Sequence, residues 1–431
     1  VFVVTVAGFT VASVLCGLAQ SLPQVVLFRL LQGMFGAALV PLSQAVMFDI
    51  YPLEQRGSAM ALWGIGVMVG PILGPTLGGW LTENYSWRWV FYINVPVGIA
   101  AAFGLLTFLP ETRRIRQSFD WFGFAMLSIA IGAFQTLLDR GQQLDWLYSR
   151  EIIAEAALAG LCFYLFLVHF LTADRPFISP RLFTDVNFVL GIVFIFLVGV
   201  ILYATLALLT PYLQELMNYP VLTAGIALAP RGAGTMAAMF VCGRLMKRVS
   251  IRALVLFGFG LTILALWQMT GFTPDISEWA VIESGFLQGA SVGFVFVSLS
   301  TVTFATLPAE LRTQGTAIYS LLRNLGASIG ISITGALLIQ NTQINHALIG
   351  AAVTPFNRAL QQGAAAQAWN PASPHGVAAL NALVTRQAEI IGYIDDFKLM
   401  MVVAIAAMPL AFLLRTPRAG GAAEAGHAVM E

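Results

Sequence analysis

The sequence predicts an all-α protein built inside a lipid bilayer, and three observations carry that expectation. The first is composition: of 431 residues, 58% are hydrophobic and only 10% charged, where a soluble domain has about a quarter of its residues charged. The second is a mean hydropathy of +0.82. The third is spacing, because apolar runs of about 20 residues, long enough to cross a hydrocarbon core, recur between short polar breaks. Barrel strands would alternate in character over about ten residues, so the spans are helices. With 22 Lys and Arg against 21 Asp and Glu, the net charge of +1 leaves no footprint for nucleic acid.

Taken in order, the apolar blocks place twelve candidate spans near residues 1–19, 23–47, 57–81, 88–109, 121–138, 152–172, 187–212, 222–246, 252–271, 279–305, 316–340 and 397–415. Two connections exceed a turn: the basic stretch from Pro110 to Asp120, and a segment from about Asn341 to Asp396. The second carries Val377, Leu380, Leu383, Val384 and Ile391 at roughly helical spacing. It reads either as an amphipathic helix lying on the membrane or on a partner, or as a solvated insertion. The Gly- and Ala-rich tail, 417–431, reads as disordered. Val1 opens inside an apolar run with no Met or basic flank, so the start reads as neither a cleaved signal peptide nor a complete N-terminus.

Lys and Arg in the loops set orientation. Sorted by alternating sides, Arg56, Arg113, Arg114, Arg116, Arg175, Arg181, Arg244, Lys247, Arg248, Arg252, Arg312, Arg415 and Arg418 fall on one face. Arg88, Arg140, Arg150, Arg358, Arg386 and Lys398 fall on the other. The first set outnumbers the second about two to one, which puts Val1 and the C-terminus in the cytoplasm.

Three arginines fall within spans. Arg29, Arg231 and Arg323 each cost about 2.5–3.5 kcal/mol at a helix centre, so they face a polar cavity or partner unless they snorkel to a rim. Arg29, Gln32, Gly33 and Gly36 share one helix face at i, i+3, i+4 and i+7, where packing alone needs neither Arg nor Gln. Among carboxylates near span interiors, Glu283 is the candidate for coupling. In the third span Gly66, Gly70, Gly74 and Gly78 repeat every fourth residue beside Pro71, Pro75 and Gly79. That face lets helices approach closely, and the prolines bend it.

Enzyme patterns fail on context. Gly289-Ala290-Ser291-Val292-Gly293 and Gly326-Ala327-Ser328-Ile329-Gly330 match a hydrolase pattern that requires a strand-to-helix elbow, and both sit in helical blocks. Gly232 to Ala237 fits a loose dinucleotide fingerprint without a βαβ unit, and no Walker loop or H-E-x-x-H is present. Cys16, Cys162 and Cys242 lie in apolar runs as packing residues. No cofactor or metal is expected. The residues leave open a transporter, whether exporter, importer or uniporter, a membrane-embedded serine hydrolase using Ser291 or Ser328, and a non-transporting receptor or assembly protein.

The segment Arg29-Leu30-Leu31-Gln32-Gly33-Met34-Phe35-Gly36 resembles the arginine motif in the fourth span of drug:proton antiporters of the major facilitator superfamily. Gly66 through Gly79 resembles their fifth-span antiporter motif. Leu228 to Gly232, Leu322 to Gly326, and Trp87 to Pro96 are similar to the EmrB/QacA-like fourteen-span multidrug exporters. The resemblance implies the major facilitator fold, with twelve of an expected fourteen spans present and the first two missing, along with that family's first-span acid. It implies four remaining spans of an N-terminal bundle at 1–110, a linker and inserted helix pair at 111–182, and a six-helix C-terminal bundle at 183–416. It further implies proton-driven export of hydrophobic or amphiphilic drugs from a bacterial inner membrane, with a periplasmic adaptor and an outer-membrane duct as partners. Arg29 and Gln32, with Glu283, would serve the proton step. Tyr203, Arg231, Gln288, Tyr319, Arg323 and Asn324 would line the substrate cavity between the bundles.

Overall fold

The computed structural model describes residues 1–108, 119–354, 369 and 373–415, and every regular element among them is a helix. A first group comprises α1 (Phe2–Leu18), α2 (Leu22–Gly36), α3 (Leu39–Ile50), α4 (Leu53–Asn84), α5 (Trp89–Tyr92) and α6 (Asn94–Phe108), with α1 packed on both α2 and α6. A pair follows, α7 (Trp121–Gly141) and α8 (Arg150–Thr172). The second group comprises α9 (Val186–Pro211), α10 (Val221–Leu245), α11 (Ile251–Met269), α12 (Glu278–Thr303), α13 (Ala309–Ala352) and α14 (Pro374–Ala407). Among the described residues 10 helical stretches are long and apolar enough to cross a membrane, and α1 is apolar but 17 residues long. The protein is a multi-pass membrane protein.

Two of the expected spans are broken, and proline explains both. Pro41 cannot donate to the carbonyl four residues back, that of Ala37, and its ring crowds it. The chain turns at Ala37 and Ala38 between α2 and α3. Pro96 stands in the same relation to Tyr92, where α5 ends, and α6 begins after the single intervening residue Ile93. α4 remains one 32-residue helix across Pro71 and Pro75.

The segment expected as a long outside loop is instead the continuation of two helices. α13 runs 44 residues, about 66 Å at 1.5 Å per residue and twice the hydrocarbon thickness. Nothing between Asn341 and Ala352 stops it except a terminal glycine, and α14 already begins at Pro374, where the Ser373 hydroxyl accepts the Gly376 amide at 3.0 Å. The two helices pair, with Gly392 against Leu338 and Thr342 and His346 bonded to Asn381 at 3.0 Å. Two paired helices, too long for the hydrocarbon thickness alone, thus stand where either a surface amphipathic helix or a solvated insertion was expected. Arg113, Arg114, Arg116, Arg358, Arg418 and the tail 417–431 lie outside the described residues.

Close backbone approach holds the second group together. A Cβ at Gly199 or Gly326 would run into the facing backbone across the α9–α13 contact, and one at Gly234, Gly289 or Gly293 would do so across α10–α12. The two G-x-S-x-G stretches are therefore packing faces inside continuous helices. α7 attaches to α13 through Ser328 Oγ donating to Gln135 Oε1 at 2.5 Å and Ser332 Oγ donating to the Leu138 carbonyl at 3.0 Å. Before α7, Asp120 accepts from the amides of Gly123 and Phe177 at 2.9 Å and lies 2.9 Å from His169 Nε2 on α8. Desolvation raises the Asp120 pKa, but these donors outweigh it and hold the carboxyl below its ordinary value.

Gly326→Leu should lower stability by about 1–3 kcal/mol through overpacking. Gly104→Leu, whose Cβ position meets nothing within 4 Å, should change it by less than about 0.5 kcal/mol. Thermal unfolding of the detergent-solubilised protein measures both.

Candidate functional site

Arg29 lies on α2 beside a chain of polar side chains drawn from three helices. Its Nη1 donates to Gln32 Oε1 at 3.2 Å, and its guanidinium sits 4.6 Å from the centre of the Phe91 ring. Gln32 Nε2 donates to Ser13 Oγ on α1, and Asn94 Nδ2 at the start of α6 donates to the same oxygen at 3.2 Å. Gln32 is buried while Arg29 stays exposed, so the expected inward face is split: Gly36 packs under Phe9 and Gly33 meets nothing. Among the described residues no carboxylate lies within ion-pair distance of Arg29. The arrangement is a hydrogen-bonded line of guanidinium, amide and hydroxyl groups in an apolar setting, where each polar group needs its partner. Ser13 and Phe91 belong to it unforeseen. Asn94 stands in the Trp87 to Pro96 stretch and could have been read as polar among aromatics.

Glu283 is elsewhere. It is exposed near the start of α12 and accepts from Gln268 Nε2 at 3.2 Å. α2 packs on α1 and α3, whereas α12 packs on α9, α10, α11 and α4, so the proposed coupling residues are not gathered in one place.

The six cavity candidates divide. Arg231, Gln288 and Tyr319 are buried within the second group, Tyr203 and Arg323 are half-buried, and Asn324 is exposed. Arg231 Nη2 donates to the Leu202 carbonyl at 2.9 Å. Gln288 lines a cavity of about 20 Å³, enough for about one water, with Leu202, Thr262 and Ser291. This cavity lies between α9, α11 and α12 and not between the two groups, which places Gln288 away from the expected substrate path. Sequence reading also passed over Asp396, treated as a loop boundary. It is fully buried on α14, with neither carboxylate oxygen hydrogen-bonded among the described residues.

The two groups meet at one end. Arg312 Nη1 on α13 pairs with Asp49 at 3.0 Å, and the Phe48 and Phe304 rings lie 4.8 Å apart. Ser58 donates to the Gly243 carbonyl at 3.4 Å, Gly57 abuts Met246, and Gly64 abuts Met239. Trp63 stacks on Phe296 at 5.9 Å. Beyond this contact α4 separates from the second group along its glycine face, among the described residues. A Cβ at Gly66, Gly70, Gly74, Gly78 or Gly79 would find no described atom within 4 Å. Among the described residues nothing packs closely on the glycine face expected to be a tight interface.

Two groups of apolar helices joined at one end, with polar side chains set within the helices, define a membrane transporter. The chain belongs to the Major Facilitator Superfamily, whose model matches residues 1–331. It is 36% identical over 359 residues to the Escherichia coli multidrug export protein EmrB, covering 83% of this chain and 70% of that one. It is 33% identical over 421 residues to the fatty acid resistance protein FarB of Neisseria gonorrhoeae, covering 96% and 83%. The EmrB of Haemophilus influenzae is 32% identical over 359 residues, covering 83% and 70%.

The Asp49 and Arg312 pair is half exposed on its acidic side, so Asp49→Asn should weaken the contact between groups by less than about 1 kcal/mol. The charge swap Asp49→Arg with Arg312→Asp should recover most of that loss. Spin-label distances between α3 and α13 give the population of the joined state in each variant.

Proposed function

We propose that this protein is a proton-coupled exporter of hydrophobic or amphiphilic drug-like compounds, working by alternating access between its two helix groups in a bacterial inner membrane, C-terminus in the cytoplasm. The observation that carries this reading is the line from Arg29 through Gln32 and Ser13 to Asn94, a polar path that packing between apolar helices does not require. Relatives named for multidrug export and fatty acid resistance support the substrate class. Counting α1 and α4 with the 10 long apolar stretches gives twelve spans of a fourteen-span pattern, divided as 1–110, 111–182 and 183–416.

The end where the groups meet carries Arg56, Lys247, Arg248 and Arg312, so the excess of loop cations assigns it to the cytoplasm. On that assignment the described conformation is closed inside and open outside. For the path to reverse, the outer half of α4 must swing toward the second group. Gly66 to Gly79 supplies a surface with no side chains at every fourth position to receive the opposing helix. The glycine face is then the interface of the opposite state, and the hairpin of α13 and α14 stands on the outside as a docking element for an adaptor. By the same analogy Arg29 tunes the proton step, with the proton supplied by the gradient and no cofactor needed.

In proteoliposomes of the complete protein, an imposed pH gradient should drive movement of a fluorescent lipophilic cation, and collapse of the gradient should abolish it. Arg29→Ala should reduce the coupled rate by at least about tenfold; an unchanged rate overturns the role of Arg29. Gly70→Leu and Gly74→Leu should stall turnover while the protein inserts normally, and normal turnover in both removes the interface.

A further inference from the structure

Beside the contact of α4 with α10, the two groups leave a groove of about 330 Å³. Leu62 and Ile65 line it from α4, Phe240 and Arg244 line it from α10, and Lys247 lines it from the turn that follows α10. Leu62 and Phe240 give it an apolar wall that no described residue covers, being 67% and 52% exposed. The cations are gathered at one end: Arg244 stands in the last turn of α10 and Lys247 in the turn just past its end, and the Arg244 guanidinium is held 3.5 Å from the centre of the Phe240 ring. Both are exposed, and among the described residues neither is paired with a carboxylate. Bare apolar surface belongs against hydrocarbon, whereas two adjacent cations at a membrane rim attract a phosphate, as basic pockets between spanning helices do.

We propose that this groove binds one anionic phospholipid, its phosphate between Arg244 and Lys247 and an acyl chain along Leu62 and Phe240. A free phosphate would satisfy the cations and leave the wall bare, so charge and apolar surface together select the lipid. The walls come from different helix groups, so the lipid bridges them and favours the conformation in which α4 and α10 touch at this end. The site depends on membrane insertion alone and stands or falls independently of the export reading.

The full chain is purified in an uncharged detergent, mixed with phosphatidylglycerol or phosphatidylcholine, and the retained lipid is counted by native mass spectrometry. One phosphatidylglycerol should be retained where phosphatidylcholine is not, and retention should fall at least about tenfold in the double variant Arg244→Gln with Lys247→Gln. The charge-matched control, Arg175→Gln with Arg181→Gln, should retain it. Equal loss in both double variants, or no preference between the lipids, overturns the site. Phe240→Ala, which keeps both cations, should weaken long-chain phosphatidylglycerol more than the dihexanoyl form, and an equal effect on both overturns the placement of the chain. Displacement by millimolar inorganic phosphate alone marks a phosphate site and overturns the lipid assignment; persistence supports it.

Discussion

Lipid tails are as apolar as leucine, so a bilayer gives two helices little reason to associate through the hydrophobic effect. What remains is close packing, and this protein achieves it by removing side chains where helices cross. Gly199 and Gly326 bring α9 and α13 together at the level of the backbone, while Gly234, Gly289 and Gly293 do the same for α10 and α12. These crossings make the second group a firm unit. Gln288 is buried beside Gly289 in one of them and Asp396 is buried on α14, where an unpaired polar group is expensive and its position is correspondingly specified by the packing around it.

The first group is knit differently. Around Arg29 it relies on hydrogen bonds among side chains from α1, α2 and α6, with Ser13 accepting from two amides. The groups touch through a mixture of both devices: glycines of α4 against Met239 of α10 and Met246 just past its end, a charge pair between α3 and α13, and the ring of Phe48 on α3 against that of Phe304 at the end of α12. A contact of that kind is close but divisible. It uses a half-exposed ion pair and flexible methionine side chains, not the backbone clasp found inside the second group.

The helical, membrane-spanning character was legible because apolar run length is a one-dimensional property. The twelve blocks all correspond to helices, and the registry of Arg29 with Gln32 followed from helical spacing. The breaks at Ala37 and after Tyr92 were written in Pro41 and Pro96, but the apolar runs pass straight through both prolines, so hydropathy alone concealed them. The hairpin was missed because polarity past Asn341 was taken to mean loop, whereas a helix paired with a neighbour tolerates polar faces once outside the hydrocarbon. Ser13, Asn94 and the Asp49 to Arg312 pair were illegible for a different reason. Their partners lie 19, 81 and 263 residues away, and only the folded chain brings them together.

α13 begins three residues before Arg312, at the contact between the groups, and continues unbroken for 44 residues to Ala352. An uninterrupted helix of about 66 Å is a stiff lever. A tilt of about ten degrees at its base would carry the far tip roughly 11 Å sideways, with no second joint to absorb the motion. A molecule resting on that tip would sense whether the opposite face of the membrane is sealed, although it touches neither the seal nor the substrate.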